Sequence, residues 1–317
     1  MYRIGDLIKH GRKSKGLTQE ALSEGICSVS NLSRIESNEQ IPSRQKLQLL
    51  LERTGIDGEY LLPFSSNQEV ELLNLEREID YEIFKSGDLE NAKQLLKQLE
   101  EPFDERTIDE VYLSFLVIYI SEKEGQNLEE VNKRYEAVIN KFIPNFTPEK
   151  IPVKPRSRKE LIMLNGYALN FLSLRQGEQS AEISKNVVAC IEKWVMDKSL
   201  LSDTYITAIY HWANALFGLD KWEDCLSVLN QGLAEYLKFR LTNINSLVGM
   251  LYLKGTCLGE MNQLDESRKI LKQAYYLIEA TKTELTGITN YNGKLHVVNL
   301  LGEILYYASQ KGIEPWE

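Results

Sequence analysis

An all-α protein of two unequal parts is predicted, on three observations. Glycine and proline are scarce, 19 and 8 of 317 residues, and alternating β-branched stretches are few. Leu, Glu, Lys, Ala, Ile and Asn instead recur at helical spacing. Charge divides the chain: residues 1–53 carry nine Lys and Arg against six Asp and Glu, whereas the whole chain has a net charge of −9. A basic N-terminal unit of an acidic protein remains able to hold nucleic acid, because phosphate attraction depends on the charges facing the groove and is screened within about 10 Å.

The length suits two domains, or a small domain followed by a long array. Hydrophobic residues at 43% and charged residues at 26% are ordinary globular usage. No apolar stretch reaches the ~18–20 residues that cross a bilayer, and MYRIGDLIKHGRKSKG is not a signal-peptide core, so a cytoplasmic protein without membrane contact is expected. Cys27, Cys190, Cys225 and Cys257 are widely spaced without a CxxC pair, which predicts buried thiols.

In the first part, Ile4, Leu7, Ile8 and Arg12 share a face of a helix that ends near Lys15 and Gly16. Thr18 is placed to cap a second helix carrying Ala21 and Leu22 inward and stopping near Gly25. A third helix starts at Ser28 or Ser30 and runs to Glu36, where Asn38 to Pro42 break it. A fourth from Ser43 carries Leu47, Leu50 and Leu51, and Gly55 to Leu62 pack a last turn. Two short helices across a tight turn, braced by others, are the helix-turn-helix arrangement, whose second member lies in the DNA major groove. The residue types agree. Ser28, Val29, Ser30 and Asn31 make a short polar turn suited to base edges, Gln19 sits at a helix N-terminus suited to phosphate, and Arg34, Arg44 and Lys46 supply phosphate contacts. The ordinary alternative for Ser28 and Ser30 is capping alone.

GLTQEALSEGICSVSNLSRIESNEQIPS resembles the DNA-binding domain of the lambda-repressor-like (Xre) regulators, through an LTQ…L…SRIE pattern of about twenty residues. The resemblance implies a structural pair between Arg12 and Glu36.

After the Pro63–Asn67 break, turn-centred segments recur: IFKSGDLENAKQLLKQL, LSLRQGEQSAEISKNVVAC, ALFGLDKWEDCLSVLNQGL and CLGEMNQLDESRKILKQAY. Leu89, Ser180, Trp222 and Leu264 follow the four turns at intervals of 91, 42 and 42, and a weaker unit at Leu128 divides the first gap. The four prolines between Pro144 and Pro155 mark an inserted loop. Helical pairs of this kind bury their apolar faces by stacking into a solenoid. They resemble tetratricopeptide repeats of longer period, with Trp222 and Cys225, and Leu89 and Ala92, at the large and small packing positions. Gly255 fits where two helices touch closely, and a helix from about Asn292 to Lys311 caps the array.

Such arrays hold extended peptides on a concave face lined by the first helix of each pair. The motif puts Thr207, Tyr210, Asn214 and Phe217 on that face, with Gly249, Tyr252 and Thr256 one repeat later and Asn165, Tyr167, Asn170 and Arg175 one earlier. Asparagine carboxamides donate to and accept from a peptide backbone, and arginine pairs with a carboxylate. The alternative for each aromatic is core packing. Asn214 and Tyr210, four apart on one face, are the leading candidates.

His10, His211 and His296 fall in different elements with no HExxH or cysteine partner, and GxxxxGK[ST], GxGxxG and GxSxG are absent. No enzyme, cofactor or metal site is expected.

The expected division is a helix-turn-helix domain at 1–63, a linker at 64–70 and a repeat domain at 71–317. Over its whole length the chain resembles the peptide-pheromone-responsive regulators of the Rgg, PlcR and PrgX group. The resemblance implies a homodimeric transcription regulator that binds double-stranded DNA at a pseudo-palindromic operator and is controlled, as in quorum sensing, by a short signalling peptide in the repeat groove. Two other readings compete: repeats that dock a protein partner, and a scaffold that regulates another protein without binding DNA.

Overall fold

The computed structural model describes residues 4–56, 67–99, 110–148, 151, 156–195, 198–239, 244–281, 286–291 and 294–313. The N-terminal unit contains α1 (Ile4–Ser14), α2 (Gln19–Ser23), α3 (Val29–Glu36) and α4 (Arg44–Arg53). Its turns follow the sequence chemistry. Gly16 and Gly25 take the left-handed conformation after α1 and α2, Asn38 does so after α3, and the Thr18 hydroxyl accepts from the Ala21 N–H at 3.1 Å. Ser28, not Ser30, caps α3, accepting from the Asn31 N–H at 3.2 Å. Ile8, Leu22, Leu32, Ile35, Leu47, Leu50 and Leu51 form a separate core at its centre. Gly5 lets α1 meet the end of α3: a Cβ there would stand 2.0 Å from the Ile35 carbonyl. The turn expected over Gly55–Leu62 lies, beyond Ile56, outside the described residues.

The rest is a stack of antiparallel helical pairs: α5 (Asn67–Tyr81) with α6 (Leu89–Leu99), α7 (Glu110–Lys123) with α8 (Leu128–Phe142), α9 (Arg158–Ser173) with α10 (Gly177–Trp194), α11 (Ser202–Gly218) with α12 (Trp222–Phe239), and α13 (Ile244–Glu260) with α14 (Leu264–Thr281). Helix α5 starts inside the segment expected as linker. Each pair turns on one left-handed residue: Gly87, Gly125, Arg175, Asp220 and Asn262 in order. The third residue past the start of each second helix, Ala92, Val131, Ser180, Cys225 and Ser267, is fully buried against its neighbours. This register corrects the sequence alignment. Leu89, Leu128, Trp222 and Leu264 open their helices, but α10 opens at Gly177, so Ser180 is the equivalent of Cys225 and not of Trp222.

First helices contact first helices along the stack, α9 with α11 and α11 with α13, and one core runs continuously from Ile79 to Cys257. A second core closes the C-terminal end between α13, α14 and the last helix, α15 (Leu300–Gln310). Tyr307 ties that helix down by donating to the Thr256 carbonyl at 2.9 Å, with Glu260 at the same distance from its hydroxyl. The cap is shorter than expected, because an antiparallel hairpin precedes it: β1 (Thr286–Tyr291) and β2 (Lys294–Asn299), paired with Tyr291 opposite Lys294. Strand β2 contacts α9 and β1 contacts α13, both first helices. No helix among the described residues is long and apolar enough to cross a membrane.

Candidate DNA-binding surface and peptide groove

The first turn of α3 projects from the N-terminal unit. Ser28, Val29 and Ser30 are exposed and Asn31 is half-buried, while Leu32 and Ile35 on the opposite face hold the helix in the core. A polar, solvent-facing helix start over an apolar anchor is the geometry that enters a major groove. Arg34 and Lys46 are exposed beside it; the side chain of Arg44 lies outside the described residues.

Behind this surface sits the pair that the sequence resemblance implied. Arg12 Nε lies 2.5 Å from Glu36 Oε1, its Nη2 donates to Oε2 at 2.8 Å, and its Nη1 donates to the Leu17 carbonyl at 2.9 Å. Gln19 also donates to Glu36 Oε2, at 2.9 Å, so its amide braces α2 against α3 as well as standing near the helix start. Burial by itself raises the Glu36 carboxyl; the hydrogen bonds from Arg12 and Gln19 outweigh it and hold the group below the usual carboxylate range.

In the repeat domain, α11 carries two opposed faces. Trp212 and Leu216 floor a groove on the outer side between α10 and α12, walled by Glu182, Lys185 and Asp224. Thr207, Tyr210, Asn214 and Phe217 lie about half a helical turn away from them, on the inner side, and all four are half-buried. Tyr210 reaches the next first helix, where its ring packs against Gly249 of α13, and burial pushes its hydroxyl up to about 12. Tyr252, one turn along α13, is half-buried too. Among the described residues the Asn214 carboxamide has no hydrogen-bond partner.

Other residues expected in the groove lie elsewhere. Tyr167 and Asn170 are fully buried and face α8: the Tyr167 hydroxyl meets Glu136 at 2.9 Å, and Asn170 accepts from Asn132 at 3.1 Å. Asn165 is buried and donates to the Thr204 carbonyl at 2.9 Å, and Thr256 is buried and donates to the Leu253 carbonyl at 2.8 Å. The Tyr167, Asn170 and Asn165 side chains pin α9 to its neighbours, whereas the Thr256 bond lies within α13. The reason is that α9 is covered on nearly all sides, a condition that helical periodicity does not reveal. Arg175 is exposed at the left-handed turn that ends α9.

Burial pushes His211 down to about 4, so it is neutral and structural, and no group of three His, Cys, Asp or Glu is gathered among the described residues. The cysteines are free; Cys190, Cys225 and Cys257 are buried, with Cys225 and Cys257 sulfurs 3.1 Å apart between adjacent repeats.

Comparison with known proteins agrees with this architecture. Residues 8–61 match the family model described as Helix-turn-helix. No curated protein sequence matches the chain. The structure of Bacillus thuringiensis PlcR in complex with the peptide PapR7 and DNA is similar at a TM-score of 0.54 and 17% identity, over 89% of this chain and 96% of that one. The apo form of the same protein gives 0.53 and 15%, over 88% and 94%. A Rap protein complexed with Competence and Sporulation Factor gives 0.53 and 13%, over 98% of this chain and 71% of that one. Residues 8–61 are therefore a helix-turn-helix domain, and the chain joins that domain to a repeat solenoid in the fold of PlcR, the architecture implied by its resemblance to the peptide-pheromone-responsive regulators.

Proposed function

We propose that this protein is a DNA-binding transcription regulator controlled by a short peptide held on the inner face of its repeats. The observation that carries the reading is the stripe Thr207, Tyr210, Asn214 and Phe217, joined by Tyr252. It presents apolar surface, the Thr207 hydroxyl and an uncommitted carboxamide on the face where first helices line up. Such a surface grips an extended backbone and gives pockets to alternate side chains. The fold shared with PlcR, whose structure holds a peptide and DNA, supports the same assignment.

On the DNA side, Ser28, Val29, Ser30 and Asn31 read base edges, and Arg34, Lys46 and Arg44 contact phosphates, with Gln19 dividing its amide between Glu36 and the backbone of the DNA. One recognition helix covers few base pairs, so a homodimer on a pseudo-palindromic operator supplies the specificity. Peptide binding shifts the population between two arrangements of the repeats and so changes the spacing of the two DNA-binding units, a coupling of about 1–3 kcal/mol in ordinary cases. The regulator works in the cytoplasm, where both ligands are found.

Titration calorimetry of the full chain against pooled synthetic peptides of five to ten residues tests the groove. Saturable heat that Asn214→Ala abolishes supports it; unchanged affinity in that variant removes the assignment, and no heat with any pool favours repeats that dock a protein.

A further inference from the structure

Where the helix-turn-helix unit meets the repeats, Arg53 of the first stands against Trp194 of the second. Arg53, the last residue of α4, is buried, and its Nη1 donates to three carbonyls at the end of α2: Ala21 at 3.3 Å, Leu22 at 2.9 Å and Glu24 at 2.7 Å. The guanidinium of the same residue stands 4.4 Å from the ring centre of Trp194, the last residue of α10. Lys193 also stands over that ring, at 4.5 Å. Around the contact, Leu49, Glu52 and Arg53 of the first unit and Arg156, Leu161, Cys190, Trp194 and Val195 of the second enclose a cavity of about 10 Å³, room for about one water.

This is an unusual way to join two domains. Interfaces inside a chain are ordinarily loose and polar, and allow relative motion. Here a planar cation is fixed on one side by three carbonyls and on the other by an aromatic face, which sets direction as well as distance. The carbonyls belong to the first helix of the helix-turn-helix. The tryptophan ends the helix that packs along α11, the helix carrying the inner stripe.

We propose that Arg53 and Trp194 form the joint that fixes the orientation of the DNA-binding unit on the repeats, and that a change in repeat packing reaches α2 through it. The second half of this statement rests on the peptide-groove reading; the first does not. Both residues are positioning residues, since neither stands in the DNA surface nor in the groove.

The test uses the full chain with Cys27→Ser and spin labels at Lys13→Cys and Lys185→Cys, two exposed positions, one in each unit. The distance distribution between labels is narrow in the parent protein and in Trp194→Phe, which keeps an aromatic face. In Trp194→Ala it broadens by at least about twofold, as expected when a packed, discrete interface is released. A narrow, unshifted distribution in Trp194→Ala overturns the joint. Circular dichroism of the same samples confirms folding, and Arg53→Lys, which loses the planar fork, serves as a second variant with the same expected broadening. Adding a peptide-enriched culture extract then separates the two readings. A shift in the parent that is lost in Trp194→Ala supports transmission through the joint, and a shift kept in Trp194→Ala overturns it. No shift in the parent, with broadening in the variant, leaves the joint standing and removes the groove reading.

Discussion

Glu36, the last residue of α3, is held by Arg12 of α1 through a two-pronged pair at 2.5 and 2.8 Å, with only 2% of the Glu36 side chain exposed and 12% of Arg12. The pair therefore fixes α3 from behind, away from its exposed first turn. Removing one partner leaves a buried charge, so Glu36→Ala or Arg12→Ala is expected to cost about 3–5 kcal/mol of domain stability. Chemical denaturation checks this, and a double replacement by Leu and Met that loses much less than either single change is expected alongside it.

Arg34 and Asn31 stand on the same helix, yet their removal should have different consequences. Arg34→Ala weakens binding to all DNA sequences alike and lowers the salt slope by about one, because it deletes one phosphate contact. Asn31→Ala changes base preference at one position of the site by about 1–3 kcal/mol and leaves the slope in place. Binding measured across salt concentrations, and across single-base variants of the operator, distinguishes the two.

How much of this was legible in the sequence depends on the range of the interactions involved. The caps at Thr18 and Ser28, the stops at Gly16, Gly25 and Asn38, and the turns at Gly87, Asp220 and Asn262 are local, and the residues announce them. Gly255 is also as expected: a Cβ there would stand 2.6 Å from Leu271 in the partner helix. The helix Gly177–Trp194 opens three residues before the position that the sequence register gives it, because the left-handed turn residue is Arg175, which carries no turn signal. The hairpin was readable in principle. Asn292-Gly293 separates ITNY from KLHVV and is the pair favoured in two-residue hairpin loops, but the helical pattern of the following segment overruns it. Tyr167 and Asn170 have groove chemistry and core positions, and only tertiary packing decides between them. The contact of Arg53 with Trp194 joins distant parts of the chain and leaves no trace in local pattern.

Gly255→Val follows from that packing. A Cβ and two methyl groups are added where the Cβ alone would stand 2.6 Å from the Leu271 side chain and 3.4 Å from its backbone N, and overpacking of this kind typically costs about 1–3 kcal/mol. Thermal unfolding of the repeat domain reads the loss, while DNA contacts by the N-terminal unit keep their base preference.

Asp80 gives the repeats a pH dependence. Burial pushes its carboxyl up to about 6, with Glu76 adding to the rise, while the Tyr112 hydroxyl that it accepts from, Lys159 and Arg158 oppose it. The folded value exceeds the unfolded one of about 3.9. Asp80 therefore costs nothing in acid, where both states are protonated, and its contribution is lost as pH rises from about 4 through 6. Asp80→Asn, which keeps an acceptor for Tyr112, removes this slope. Its melting temperature should gain on the parent by about 4–9 °C between pH 4 and pH 7, the equivalent of about 2 kcal/mol in a domain of this size. A constant difference across that range argues against Asp80 as the source.

The central claim is that one chain reads DNA and answers to a peptide. The test is to capture fragmented genomic DNA from the source organism on the purified protein, with and without a peptide-enriched culture extract, and to sequence what is retained. A few discrete sites are expected, each with two related half-sites about one helical turn apart, whose occupancy changes when the extract is added and does not change for Asn214→Ala. Retention of no specific sequence, or of sites that the extract leaves unaltered, would contradict it.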